Sequence, residues 1–509
     1  MANAYILVMF GILCAKAAGF LRDAVFASTF ATGMVSDIYF QIFGIASLIF
    51  TAVGSALSTL IIKNVNKTRY SQGDSQNRYA AYFMRNITLL VLAITALLYV
   101  FARPVVSALL PEVTGEYFEL AVDIMYIMLP SFPCICVAYM MSGLLQNRRV
   151  FFTPSVMSVP YNVIVICVLA LGVDDIVTIS KITTLGWFLH IVILLPDFYR
   201  KGYRFFIKST PLERGSGVNN IMETVFIFIS GLMFQICFLV DKVCVSHEAG
   251  MVSTLSYGSN LFITFSGVFV VAMSSVVFPA ISQNYEHGTM DYVRELVRYM
   301  IKLMVSIFAF YLIAVVFFGD YAVSLIYERG EFTHTDTINV SWAFLIYSFA
   351  IFGYLAQNVL NKLFYIAGKY KITVIGAVIV VALNAAIDFF LAPYFGTYFA
   401  ATTTTLLLCC YAVFVAIRLK GIIGNYFTKE LGVTLGKIGL SAAGAGLFLV
   451  TVGLFAPDRF LAGTGIERMI VFVIAAAIYA GSMFATGVLG DLFTTPLSKT
   501  TKANASKEG

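Results

Sequence analysis

Ionisable side chains inside apolar stretches need explaining first, because each costs about 2.5–3.5 kcal/mol at the centre of a spanning helix and persists only beside water or a partner. The first apolar run carries Lys16, Arg22 and Asp23, and Asp37 opens the second. On a helix Lys16 and Asp23 fall close to one stripe, with Arg22 about 100° round from Asp23. Such a cation-bearing wall suits an anion such as a pyrophosphate, which charge-assisted hydrogen bonds hold strongly. The other reading is an internal Arg22–Asp23 or Lys16–Asp37 ion pair that only joins helices. A second group lies later in the chain. Asn384 and Asp388 sit one helical turn apart in the eleventh apolar run, Asp241 lies in the seventh, and the twelfth holds Thr402, Thr403, Thr404 and Thr405. Carboxylates, a carboxamide and hydroxyls are hard oxygen ligands, the set that takes a small hard cation. These residues read either as a sodium or proton site or as a hydrogen-bond cluster between packed helices.

Other polar residues carry less. Glu119 and Asp123 share one face of the fourth run, as a cavity gate or as a solvated helix end. His190 stands alone in an apolar helix and is expected to be merely hydrogen-bonded. Asp174 and Asp175 read as a solvated turn. No constellation of catalytic residues is present, and no G-x-x-x-x-G-K-[ST] loop exists to cradle a nucleotide, so an enzyme that hydrolyses ATP is not expected. No tightly bound cofactor is expected beyond a coupling Na+ or H+. The eight cysteines sit in apolar runs without C-x-x-C spacing and read as packing residues.

The elements that must position these groups follow from composition. Of 509 residues 60% are hydrophobic and 12% charged, with mean hydropathy +0.88, against about 25% charged in a soluble protein. Lipid is therefore the solvent for most of the chain. A spanning helix needs about 20 apolar residues, and apolar stretches recur near 4–30, 35–63, 79–103, 116–146, 151–172, 177–199, 219–246, 251–283, 293–318, 335–367, 371–393, 397–419, 431–455 and 466–488. The expected fold is an all-α polytopic membrane protein of about 14 helices. The first run lacks a basic n-region and reads as a retained helix, not a signal peptide. Alternate loops test the count. One side holds Lys63, Lys67, Arg69, Arg78, Arg148, Arg149, Arg200, Lys201, Arg204, Lys208, Arg214, Arg294, Arg298, Lys369, Lys371, Arg418, Lys420, Lys429, Lys499, Lys502 and Lys507. The other holds only Arg103, Arg329, Arg459 and Arg468. By the positive-inside rule both termini are cytoplasmic.

An internal repeat organises the spans. The first helix ends with Asp23, Val25 and Ser28, followed by Gly33, Met34, Val35 and Ser36; the seventh ends with Asp241, Val243 and Ser246, followed by Gly250, Met251, Val252 and Ser253. Six helices separate the copies, so they run in the same direction, as in parallel repeats about an axis along the membrane normal. The expected organisation is an N-terminal lobe over 1–210, a C-terminal lobe over 211–425, two appended helices over 426–490 and a cytoplasmic tail over 491–509. Two such lobes around a midplane cavity suit alternating access.

At these residues the sequence resembles the MviN/MurJ family, lipid II flippases of the multidrug/oligosaccharidyl-lipid/polysaccharide exporter superfamily. The resemblance runs through Gly19, Phe20, Leu21, Arg22, Asp23, Ala24 and Val25, then Asp37; through Gln235 to Asp241, Ser256, Tyr257 and the run from Val277 to Ser282; and through Arg329, Gly330, Phe332 and Thr333, which match the family's R-G-x-F-T loop. It implies a flippase that moves lipid II, the lipid-linked peptidoglycan precursor, to the outer leaflet of the bacterial inner membrane, driven by membrane potential or a cation gradient. It also implies a diphosphate held by Arg22, Asp23 and Asp37, with Lys16 where the family has arginine, and a sodium site of Asp241, Asn384, Asp388 and Thr404. The last two helices would form a groove for the polyprenyl tail, and cell-wall synthesis proteins are candidate partners.

The chain departs from the family at cavity cations. Asn260 stands where the family has an arginine on the eighth helix, Ile263 replaces a glutamate, and the stretch from Ser47 to Thr51 lacks the family's arginine pair. An exporter of another polyprenyl-diphosphate-linked oligosaccharide, of capsule or O-antigen type, and a non-transporting membrane scaffold are the competing readings.

Overall fold

The computed structural model describes residues 2–48, 75–205, 231–286, 288–455 and 465–493, with Gly54, Leu57, Ser58 and Ile61 between the first two stretches. Lys63, Lys67, Arg69, Lys208, Arg214, Arg459, Lys499, Lys502 and Lys507 of the loop-charge pattern lie outside the described residues. So do the later part of the second expected span, the start of the seventh and most of the expected tail.

Every regular element among the described residues is a helix. Each expected span coincides with one: α1 (Ala2–Phe30), α2 (Met34–Leu48), α3 (Ser75–Val100), α4 (Glu116–Asn147), α5 (Phe152–Ala170), α6 (Ile176–Arg200), α7 (Met233–Cys244), α8 (Met251–Glu286), α9 (Met290–Tyr327), α10 (His334–Ser348 continued by Ile351–Ile366), α11 (Tyr370–Phe395), α12 (Phe399–Ile423), α13 (Lys429–Phe455) and α14 (Gly465–Ala485). Nine of them are long and apolar enough to cross a membrane by themselves, or ten if bent α10 is one span, among the described residues. Three are interrupted. Pro130, which has no N–H to donate, marks the break in α4, and Pro160 starts the second half of α5. In α10 the segments meet at 51°, and a π-turn over Ala356–Leu360 follows the bend. The short helices Ala102–Leu109 and Val488–Phe493 were not expected.

Outward faces are apolar. Leu89, Leu90 and Leu97 on α3, Ile375, Ile379 and Phe389 on α11, and Leu440 and Leu447 on α13 are all exposed. In water such surface would drive association; in hydrocarbon it is matched to its solvent, so helix packing depends on close contact and buried hydrogen bonds.

Two compact units emerge. The first comprises 1–260 with 324–343 and 374–404. In it α1 packs on α5, α6 on α4 and α5, α3 on α4, and α2 on both α4 and α7. Tyr79, Met84, Met141, Leu145, Leu194 and Phe198 form a core between α3, α4 and α6. The second comprises 261–323, 344–373 and 405–509. There α13 packs on α14, with Ile438, Ala445, Tyr479 and Met483 in the core. The Asn361 Nδ2 donates to Tyr411 Oη at 2.8 Å within this unit. Compactness thus groups α7 with the first six helices and with parts of α8, α10, α11 and α12.

The sequence repeat has a structural counterpart. Ser28 Oγ donates to Val25 O at 2.8 Å, and Ser246 Oγ donates to Val243 O at 2.8 Å. Gly33 and Gly250 each stand just before a helix, α2 and α8. The two turns meet: a Cβ on Gly250, whose φ is +90°, would lie 3.6 Å from Gly33 N.

Candidate functional site

Arg22 lies on the face of α1 that packs against α5. Its Nε and Nη2 donate to Asp23 Oδ1 at 3.0 and 2.6 Å, and its Nη1 donates to Tyr161 Oη at 2.9 Å and Asn162 Oδ1 at 3.2 Å. The guanidinium carbon sits 5.2 Å from the Tyr161 ring centroid and 5.6 Å from that of Phe43. Four of its donors are therefore used, and its charge is matched by an adjacent carboxylate. Behind Tyr161, Trp187 stacks at 5.2 Å and His190 stacks on Trp187 at 4.9 Å. Gly186 leaves the room: a Cβ there would lie 2.2 Å from Tyr161 Cδ2. Lys16, two turns earlier on α1, is exposed and makes no hydrogen bond or ion pair among the described residues. Of the alternatives left open by the sequence, the Arg22–Asp23 pair forms and a Lys16–Asp37 pair does not.

Asp37 is committed elsewhere. It is 1% exposed and reaches from α2 to the start of α8. Its Oδ2 accepts from Gly250 N at 2.6 Å, and its Oδ1 accepts from Ser253 N at 2.7 Å and Ser253 Oγ at 2.6 Å. It is an N-cap supplied by a different helix, and a carboxylate there also meets the positive end of the α8 dipole. More contacts close the same end. Glu331 N donates to Ser28 O at 3.0 Å, Thr32 bonds Asp336, and Phe332 is buried against Tyr257 and Tyr327. Gly330 has φ +61°, and a Cβ on it would lie 2.2 Å from Ser28 O, so the R-G-x-F-T loop needs glycine twice over.

The oxygen cluster assembles from three helices. Asn384 Nδ2 on α11 donates to Asp388 Oδ2 at 2.6 Å and to Thr404 Oγ1 at 2.8 Å; Thr404 on α12 donates to Asp241 Oδ1 on α7 at 2.6 Å. All four residues are fully buried. Asn384 Oδ1 and Asp388 Oδ1 are left with no hydrogen-bond donor. Buried acceptors without a donor are costly in a dry interior. This donor set fits a small monovalent cation, or a proton. The neighbouring hydroxyls of Thr402 and Thr403 bond carbonyls of their own helix, and that of Thr405 bonds Ile346 O.

In the second unit a cavity of about 650 Å³ is lined by Phe265 of α8, by Phe310, Tyr311 and Phe318 of α9, and by Phe472, Tyr479 and Met483 of α14. Tyr479 Oη donates to Ser306 O at 2.7 Å, which satisfies the polar tip and leaves the wall apolar. Helix α14 lines this space with α9, and no residue of α13 does.

The remaining candidates are plain. Glu119 pairs with Arg103 at 2.7 Å with both side chains exposed, and Asp123 is exposed. His190 Nδ1 lies 3.0 Å from Gly186 O. Asn260 is half-buried. Sequence reading missed Tyr161, Asn162 and Gly186 around Arg22, and the backbone N–H groups that hold Asp37. A buried asparagine in the apolar α5 was the available signal for the first.

Comparison with known proteins places this architecture. The family model for lipid II flippase MurJ matches residues 26–493. The probable lipid II flippase MurJ of Thermotoga maritima is 22% identical over 470 residues, covering 87% of this chain and 93% of that one. That of Buchnera aphidicola subsp. Schizaphis graminum is 22% identical over 398 residues, covering 75% and 76%. Among solved structures, a lipid II flippase MurJ in an inward closed conformation matches with a TM-score of 0.75 at 20% identity, over 94% of this chain and all of that one. A multidrug resistance MATE family transporter of the MOP superfamily in an inward-facing conformation matches with a TM-score of 0.60 at 14% identity, over 80% and 95%. The expected fold class and family resemblance both stand on these matches: this chain is a multi-pass membrane protein that belongs to the lipid II flippase MurJ family.

Proposed function

We propose that the chain carries lipid II across the bacterial inner membrane by alternating access, with both termini in the cytoplasm. The family match over residues 26–493 carries this reading. Lys16 is the exposed cation of α1 and takes the diphosphate, while Asp23, Tyr161 and Asn162 hold the Arg22 guanidinium in place behind it. Asn260, half-buried on α8, contributes an amide to the headgroup site. Asp37 keeps one end of the first unit shut while the headgroup site is open to the other side. The apolar cavity between α9 and α14 suits the polyprenyl tail, whose hydrocarbon needs no polar partner.

The buried cluster of Asp241, Asn384, Asp388 and Thr404 couples transport to a cation gradient. A sodium ion or proton there would add positive charge beside two buried carboxylates. Asp241 and Thr404 tie α7 to α12 through their hydrogen bond, and Asn384 bridges Thr404 to Asp388, so the state of the cluster bears on how three helices pack.

Expression in a bacterium depleted of its own lipid II flippase tests the function. The wild-type gene is expected to restore growth, and Lys16→Ala to abolish rescue. A non-transporting scaffold would give no rescue with the wild-type gene. Absence of rescue together with export of a capsule or O-antigen glycan would move the substrate to another polyprenyl diphosphate. Asp388→Asn is expected to remove sodium or proton dependence of transport, and unchanged dependence would reject the cluster as the coupling site.

A further inference from the structure

Two of the spans are broken at matching places in the repeat: α4 and α10 stand six helices apart, as do α6 and α12, which pack beside them. In α4, Pro130 has no N–H, so Tyr126 O has no backbone donor one turn on. Side chains take over there. Tyr99 Oη donates to Tyr126 O at 2.8 Å, Thr184 Oγ1 of α6 to Ile127 O at 2.8 Å, and Ser131 Oγ to Met128 O at 2.6 Å. Hydroxyls thus hold a run of consecutive carbonyls at the break, where backbone polar groups need partners. In α10 no proline is involved. Phe349 N and Ala350 N instead reach back three residues, to Ile346 O at 3.3 Å and Tyr347 O at 2.9 Å, the tighter winding of a 3₁₀ turn. Thr405 Oγ1 of α12 donates to the same Ile346 O at 3.0 Å, and Cys409 Sγ, one turn further along α12, donates to Phe349 O at 3.3 Å.

The two joints are built alike. Thr183, Thr184 and Leu185 align with Thr404, Thr405 and Leu406, so one position of the repeat supports a broken helix in both copies. Each hydroxyl also has a second acceptor to turn to. Thr184 Oγ1 lies 3.1 Å from Ser180 O on its own helix. Thr402 and Thr403 bond the carbonyls four residues behind them, Tyr398 O and Phe399 O, as threonine does inside a helix, and Ala401 O stands in that place for Thr405. A hydroxyl has a single proton to donate. Re-aiming it frees the carbonyl across the gap without leaving the hydroxyl unpaired. The angles already differ between the copies: α4 runs as one span of 32 residues, whereas α10 bends by 51°.

We propose that α4 and α10 are hinged at these joints, and that Thr184 and Thr405 are positioning residues that hold each joint at one angle and release it to another by turning a single hydroxyl. The role in transport rests on the alternating-access reading above; the hinges themselves rest on the hydrogen bonds alone. Gly353 keeps α12 close enough for Thr405 and Cys409 to reach the break, since a Cβ there would lie 2.5 Å from Leu408 O. Straightening α10 would lengthen the distance between Ile338 and Lys369, both exposed, by about 4 Å.

The test uses the full chain in lipid nanodiscs, with spin labels carried on genetically encoded ketone amino acids so that the eight native cysteines stay in place. Labels replacing Ile338 and Lys369 read α10, and labels replacing the exposed Tyr117 and Gln146 read α4. The wild type is expected to give two distances across α10. Thr405→Val keeps the shape of the side chain and loses the donor, so it should change the ratio of the two about fivefold, and Thr405→Ser should restore it. Thr184→Val should act on the α4 distances in the same way. A single α10 distance in the wild type would overturn the proposal, and so would a ratio that Thr405→Val leaves unmoved. If Thr405→Val fails to fold, Thr184→Val decides on the same terms. Pro130→Ala gives Tyr126 O a backbone donor and stiffens α4, so the unfolding midpoint should rise while rescue of a flippase-depleted bacterium is lost. A higher midpoint with rescue intact, or a midpoint that does not rise, counts against the hinge in α4. If the wild-type gene gives no rescue, the transport reading fails by itself, and the distances still judge the hinges.

Discussion

Replacing Asp37 with alanine isolates what one carboxylate does for a helix it does not belong to. Asp37 accepts three hydrogen bonds at the start of α8, two from backbone N–H groups and one from the Ser253 hydroxyl. Hydrogen bonds to a charged group contribute about 1.5–3 kcal/mol each. Alanine removes the acceptor for Gly250 N and Ser253 N, while Ser253 Oγ also donates to Gly250 O and retains a partner. Taking the lower figure for the two amides gives about 3 kcal/mol, or roughly a hundredfold in the opening equilibrium of this segment. Hydrogen–deuterium exchange of the peptide spanning Gly250 and Ser253 reads it directly. Asp37→Ala should speed exchange there by about two orders of magnitude, with peptides of α13 unchanged. Asp37→Asn keeps one carbonyl oxygen but turns an NH2 group toward a donor, so it should fall between, near tenfold. Exchange at Gly250 and Ser253 that does not change in Asp37→Ala would refute the capping role and the magnitude together.

Three further predictions follow from local geometry. Gly330→Ala must adopt a positive φ and also meet Ser28 O, so it should cost about 2 kcal/mol or more in thermal unfolding and expose Glu331 N to exchange. Gly353→Ala places a Cβ 2.5 Å from Leu408 O, a rigid backbone atom, and should destabilise the contact of α10 with α12 by a similar amount, read as a lower unfolding midpoint. Asp175 caps α6, accepting from Val177 N at 3.2 Å and Thr178 N at 2.9 Å, and the Thr178 side-chain hydrogen bond holds its carboxyl below the ordinary value. Its contribution is thus complete above the unfolded value of about 3.9 and is lost as pH falls through the lower folded one. Asp175→Ala should cost about 1 kcal/mol at neutral pH and nothing once that carboxyl is protonated, measured as unfolding midpoints across pH.

Much of the fold was legible because lipid imposes simple rules. Apolar length located α3, α9, α11 and α13. Asn384 and Asp388 could be paired because one turn of helix is a short, predictable distance. Their meeting with Asp241 and Thr404 could not be derived that way, since it depends on how three helices pack, and there the family resemblance supplied what spacing could not. The partners of Arg22 stayed hidden for the same reason: Tyr161 lies 139 residues away along the chain. Asp37 was visible as a carboxylate near an ion-pairing candidate, but its partners are backbone amides, which carry no sequence identity. Pro130 marks the break in α4, which the reading of 116–146 as one span passed over, whereas the bend in α10 has no proline to mark it.

The aromatic-walled cavity beside α14 has a consequence for handling the protein. The hydroxyls of Ser306, Tyr311 and Tyr479 in its lining are already bonded to protein, and a space of that size in hydrocarbon fills with whatever chain lies nearest. Its occupant is therefore set by the surrounding bilayer or detergent. Protein extracted in short-chain detergent and protein kept in native lipid should be regarded as differently loaded samples of one molecule, and tail affinities measured on them are competition constants against those occupants.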